Sequence, residues 1–118
     1  MPTFAAFMVF PAEPDPDLVA NGIDRYLAWQ EELRAAGRLV TAAGLAPDSK
    51  VVHAGNVMNG PFTESSEVIA GYIVVRAGSL DEAAKLFLKH PIAEDGIGWF
   101  VLHEIALTDQ DARETHLR

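Results

Sequence analysis

Thr3-Phe4-Ala5-Ala6-Phe7-Met8-Val9-Phe10 opens the chain as one unbroken apolar and aromatic run stopped by Pro11, and it predicts a buried strand. Pro11, Pro14 and Pro16 alternate with Glu13, Asp15 and Asp17, which predicts a stiff acidic loop. A helix is expected next, from about Leu18 or Asn21 to Ala36. Stepping about 100° per residue from Ile23 gathers Tyr26, Leu27, Trp29, Leu33 and Ala36 into one half of the wheel. Asp24, Arg25, Glu31 and Glu32 fill the opposite arc, Gln30 falls inside the apolar half, and Gly37 sits where a left-handed cap is wanted.

Leu39 to Leu45 predicts a second strand, and Val51 to Met58 an extension of it or a hairpin arm. The turn Asn59-Gly60-Pro61-Phe62 leads into a strand from Ile69 to Arg76. Ser79 with Glu82 three residues on predicts a capped helix start, and Leu80, Ala83, Ala84 and Phe87 supply its stripe. Pro91 ends that helix at about Lys89 or His90, Ile92 to Gly98 is expected as a loop, and Trp99 to Leu107 as the final strand. Residues 108–118 are polar and charged, which predicts a frayed tail beyond a single domain over 1–107.

The order β-α-β-(β)-β-α-β predicts an α+β fold of ferredoxin-like type, an antiparallel sheet with helices on one face. The last strand is apolar on both sides: Trp99, Val101 and Ile105 point one way, Phe100, Leu102 and Ala106 the other. Helices cover only one of these faces. A second copy of the chain, sheet against sheet, is the economical cover for the other, so a homodimer is expected with a mainly apolar cleft between the subunits.

Composition narrows the function classes. A net charge of -8 with scattered basic residues disfavours nucleic acid as a partner. The longest apolar runs fall far short of a membrane span, and the start Met1-Pro2-Thr3 lacks the features of a secretory signal, so a cytoplasmic protein is expected. The chain has no cysteine, which leaves no thiolate chemistry and no sulfur ligands for zinc, and no metal site or cofactor is expected.

The turn at Asn59, the acids Glu64 and Glu67, the strand start Gly71-Tyr72 and the stretch Glu31-Glu32-Leu33-Arg34-Ala35-Ala36-Gly37 together resemble the YCII-related family. The likeness is to its branch named after an Asp-Gly-Pro-Phe motif. That resemblance implies a dimeric α/β barrel. It also makes a regulatory partner plausible, since family members often accompany extracytoplasmic-function sigma factors. Position 59 departs from the motif: Asn59 turns the chain as Asp does, but cannot accept a proton as a base. Better-studied members carry a His in the first helix and an Asp near its end, proposed as a catalytic pair. The matching positions here hold Tyr26 and Ala35, so that pair is absent.

The candidate ligand pocket therefore comprises Asn59, Gly60, Pro61, Phe62, Glu64, Tyr72, His103 and Tyr26, with His103 and Glu64 as candidates for acid–base work. His103 has the parity of Trp99 and Val101, and Glu104 faces away from it. His53 reads as solvated, His116 as tail, and His90, before Pro91, as a cation favoured at a helix C-terminus. Two function classes stay open. One is a cofactor-independent proton-transfer enzyme, lyase- or isomerase-like, on a small apolar or aromatic metabolite. The other is a non-catalytic sensor or accessory protein.

Overall fold

The computed structural model describes residues 1–11, 15–60 and 67–117. Its sheet has four strands, β1 (Thr3–Phe10), β2 (Leu39–Gly44), β5 (Val68–Arg76) and β6 (Trp99–Glu104), in the order β2-β5-β1-β6. Every neighbouring pair is antiparallel. This is the ferredoxin-like arrangement. Between β2 and β5 a separate hairpin, β3 (Lys50–His53) and β4 (Asn56–Asn59), stands apart from the main sheet. Its two-residue turn is Ala54-Gly55, both with positive φ (51° and 80°).

The helix expected after β1 is broken in two. Asp15 caps α1 (Pro16–Asn21) by accepting from the Asp17 amide, and Pro16 supplies the preset φ of a first helical position. Gly22 then separates α1 from α2 (Ile23–Ala35). Trp29 and Leu33 are the buried residues of α2, while Ile23 and Leu27 remain exposed. The indole Nε1 of Trp29 donates to the Leu86 carbonyl at 3.0 Å, tying α2 to α3 (Leu80–Phe87).

Ser79 caps α3 as its spacing predicts, its hydroxyl accepting from the Glu82 amide at 3.1 Å. The Glu82 carboxylate reaches back to Gly78 N at 2.9 Å and also takes Arg38 Nη1 at 2.8 Å. Both donors hold the Glu82 carboxyl below its usual range.

One sheet face meets these helices. Phe4, Ala6, Ile73 and Val75 join Trp29, Leu33, Ala83 and Phe87 in the main core, with Phe100 and Leu102 packed against it. The alternation expected for the last strand is observed: Phe100 and Leu102 turn inward, while Trp99 and Val101 are 38% and 42% exposed on the outer face. There Phe7 pairs with Tyr72 on one side and Val101 on the other.

Ala70 is the extra residue of a bulge, because Met8 faces Gly71 while the next residue, Val9, faces Ile69. Strict alternation would send Ile69 inward. The bulge turns it outward, where it is 56% exposed. Gly71 is required beside the bulge, since a Cβ there would lie 2.7 Å from the Ala43 carbonyl oxygen.

Two elements correct the sequence expectations. The stretch expected as a loop contains a short helix, α4 (Pro91–Glu94), and the tail expected to fray is helical over α5 (Asp109–Leu117). The reason for α5 is local. Thr108 and Asp111 exchange hydrogen bonds, Asp111 N to Thr108 Oγ1 at 3.1 Å and Thr108 N to Asp111 Oδ2 at 3.0 Å, which makes a reciprocal cap. Pairs four residues apart, Asp109 with Arg113 and Gln110 with Glu114, line its exposed surface.

Gly98 joins α4 to β6. A Cβ there would lie 2.5 Å from the Val9 carbonyl oxygen and 3.2 Å from Ile92 Cγ2, both fixed by their own elements. Gly98→Ala is therefore expected to cost about 1–3 kcal/mol, read as a lower urea midpoint at unchanged slope.

Candidate functional site

The two faces of the sheet each carry a cavity. The helix-side cavity has a volume of about 660 Å³ and lies between α1–α2 and the open end of the sheet. Met8, Phe10 and Ala70 form its sheet wall, Val19 and Ile23 its helix wall, and Tyr26 its one titratable side chain among the described residues. Gly22 opens the space by ending α1 before the chain would pack continuously on the sheet. The outer cavity, about 830 Å³, lies where the base of the β3–β4 hairpin meets the sheet. Phe7, Val101 and Ile69 form its apolar floor, and Asp48, Lys50 and Glu67 bring charge to its rim.

The candidate pocket residues fall on different sides. Tyr72 and His103 share the outer face, Tyr72 paired with Phe7 and His103 with Ala5. Two strands and one row apart, their backbones lie roughly 12 Å from each other. Tyr26 lies across the sheet, on the helix side. Asn59 is exposed on the hairpin, where its side-chain oxygen accepts from Lys50 Nζ across the strand pair. It fixes the hairpin base and is not itself among the described lining of either cavity, though its partner Lys50 stands on the outer cavity's rim. Gly60 is needed in this place: its N–H donates to Ser49 O at 2.9 Å, and a Cβ would collide with the Ser49 hydroxyl. Pro61, Phe62 and Glu64 lie outside the described residues.

The group that the sequence did not single out is His90. It is fully buried at 0% exposure among aromatic rings, which corrects the expectation of a cation favoured at a helix C-terminus. Tyr26, Trp29 and Phe100 enclose it, their ring centroids 4.9, 4.7 and 4.6 Å from the imidazole and each near edge-on. Its backbone and side chain both belong to turns. His90 N donates to Phe87 O, and Nδ1 accepts from the Ile92 amide at 3.1 Å, so His90 caps the start of α4. Burial among rings pushes the imidazole down to about 4. The side chain is thus neutral at pH 7. Because Nδ1 is an acceptor, the proton sits on Nε2, which finds no acceptor among the described residues.

Tyr26 links this box to the helix-side cavity. Its phenol is held above the usual 10 by burial, with a hydrogen bond to Gln30 pulling it back in part. Gln30, an oddity in the apolar half of the wheel, is half-buried. Its polar head serves Tyr26. Arg25 on α2 grips Asp95 beyond α4 at 2.7 Å, which holds the Asp95 carboxyl below its usual range and ties the two segments together.

Among the described residues no group of three or more His, Cys, Asp or Glu side chains could hold a metal ion. No described helix is long and apolar enough to cross a membrane.

Comparison with known proteins gives the fold a context. A solved structure with a similar fold is 5-chloro-2-hydroxyhydroquinone dehydrochlorinase of Burkholderia phenoliruptrix AC1100, in complex with 2,5-dihydroxybenzoquinone. The match has a TM-score of 0.56 at 15% identity and covers 92% of this chain and 98% of that one. At that identity the likeness is one of fold. No curated protein matches the chain in sequence. The model of the YCII-related domain matches residues 6–102, which span both cavities and His90, and the chain belongs to that family.

Proposed function

We propose that this protein binds a small apolar or aromatic molecule in its helix-side cavity, works as a homodimer closed across the outer sheet face, and moves a proton on its ligand without a cofactor. The observation that carries the binding reading is the cavity itself. Its 660 Å³ suits a metabolite of one or two rings, and its walls are apolar with a single phenol at one side. The fold neighbour, a dehydrochlorinase solved with a dihydroxybenzoquinone, supports chemistry of this kind on such a scaffold. A proton-transfer step would need a base to accept a C–H proton and a donor to steady the oxygen that gains charge. Tyr26 is suited to donate. For the base, Glu64 is the candidate, four residues before Val68 on the cavity's border. His103, on the outer face, serves the dimer cleft instead.

A second reading is favoured by one observation. Among the described lining residues no carboxylate or imidazole borders the cavity, and the Tyr26 phenol is pushed away from base character. This fits a non-catalytic ligand sensor or accessory protein, including one linked to an extracytoplasmic-function sigma factor.

Ala70 faces the cavity from the bulge, so Ala70→Phe fills it. Aromatic probes such as acetophenone at a hundred times their Kd are expected to stabilise the wild type by about 2.7 kcal/mol and to leave Ala70→Phe unmoved. An equal shift in both proteins would place the ligand elsewhere. Exchange of ligand C–H for deuterium from solvent then separates the readings: catalysed exchange supports the enzyme, and binding without exchange supports the sensor.

A further inference from the structure

An imidazole N–H buried with no acceptor is costly, and native folds keep few of them. Among the described residues His90 Nε2 is such a group, at 0% exposure. Its position is informative. Tyr26 borders the helix-side cavity and packs edge-on against the imidazole at 4.9 Å. Ile92, whose amide fixes Nδ1, packs in one cluster with Met8 and Phe10, which also border that cavity. His90 therefore stands one ring behind the cavity wall, with Tyr26 as the ring between.

The tautomer adds a chemical constraint. The Ile92 N–H occupies Nδ1, so the outer nitrogen can only donate. An apolar cavity of this size discriminates weakly by shape, whereas one directional donor in a dry place discriminates strongly.

We infer that His90 Nε2–H is the recognition donor of the helix-side cavity, reached when Tyr26 turns aside, and that it selects flat apolar ligands carrying a carbonyl or phenolate oxygen. This rests on the binding reading above and names its ligand class. The ligand oxygen accepts the Nε2 proton in a hydrogen bond, with no net transfer. Tyr26 is half-buried and borders the cavity, so its ring is the part of the box that yields, giving up its hydrogen bond to Gln30 as it turns. Trp29 is pinned by its bond to Leu86 O, and Phe100 by its place in β6. Rotation of Tyr26 joins the box to the cavity without disturbing either.

The test uses two probes of one shape, acetophenone and α-methylstyrene, which differ by an oxygen in place of a methylene group. Acetophenone is expected to bind the wild type about tenfold more tightly, the worth of one hydrogen bond to a buried donor. His90→Phe, which keeps a ring in the box, is expected to erase that preference while α-methylstyrene binding is kept. Nitrogen-15 NMR of the wild-type imidazole gives a second readout that needs no variant: the Nε2 resonance should move with acetophenone and stay with α-methylstyrene. Equal affinity of the wild type for both probes, or an Nε2 signal indifferent to acetophenone, overturns the inference and leaves the cavity reading standing. Failure of both probes to bind overturns the cavity reading and this inference with it.

Discussion

Lowering the pH from 6.5 towards 4 is expected to remove about 3 kcal/mol of folding stability through His90 alone. The unfolded imidazole takes up its proton near 6.5, whereas the native one, starved of water, resists until about 4. Between those values the unfolded chain holds the extra proton, so acid favours unfolding. Above 6.5 the two states are alike at this site and the stabilising difference is present in full. The described groups around the imidazole offer a new cation no carboxylate. Tyr26 on α2, Trp29 on α2 and Phe100 on β6 present rings, Lys89 and Glu94 on its own segment are exposed, and Arg25 is engaged with Asp95. Urea melts at pH 7, 5.5 and 4.5 measure the slope. His90→Phe should flatten it, whatever that variant's stability at pH 7. Parallel curves for the two proteins would assign the acid sensitivity to the carboxylates instead.

The other large effect is expected at the outer sheet face. Phe7, Tyr72, Trp99 and Val101 form a contiguous apolar surface, and Ile69 adds to it by way of the bulge. On the homodimer reading this surface is covered by its copy. Val101→Lys then forces an ammonium between two apolar sheets, where an unpaired charge costs several kcal/mol. A symmetric interface would bury the substitution twice, so the dissociation constant should rise at least about a hundredfold. Light scattering at micromolar concentration should show the wild type near twice 12.8 kDa and Val101→Lys at 12.8 kDa, with the far-UV spectrum and unfolding slope retained. A wild type that scatters as a lone chain would remove the dimer and the role of His103 in its cleft.

What the residues announce and what they conceal divides along physical lines. The alternation of Trp99 to Leu102 is legible because a strand's period is short and the inward and outward sets are fixed by the pleat. Ser79 is legible because its cap is made within three residues. Thr108 and Asp111 offered the same kind of signal, and the polar composition around them obscured it. His90 was hidden for a different reason. Its neighbours in sequence, Lys89 and Pro91, describe a helix ending at the surface, while the rings that bury it come from α2 and β6. No local pattern records such an environment. For the same reason the candidate pocket did not assemble as one site. Tyr26 and Tyr72 read alike in the chain, each an aromatic residue within an element, and only the sheet between them shows that they serve opposite surfaces.

The extra residue at position 70 has a reach out of proportion to its size. Straightening the bulge with every residue kept would swing Ile69 from the exterior into the space lined by Met8 and Phe10 and strip the exterior of a large side chain, whereas deleting Ala70 would leave Ile69 facing outward opposite Val9. On the cavity and homodimer readings, ligand preference and self-association are geared together through this one backbone irregularity. On those readings, a lineage that straightened the bulge to reshape its ligand space would have to rebuild its subunit contact at the same time.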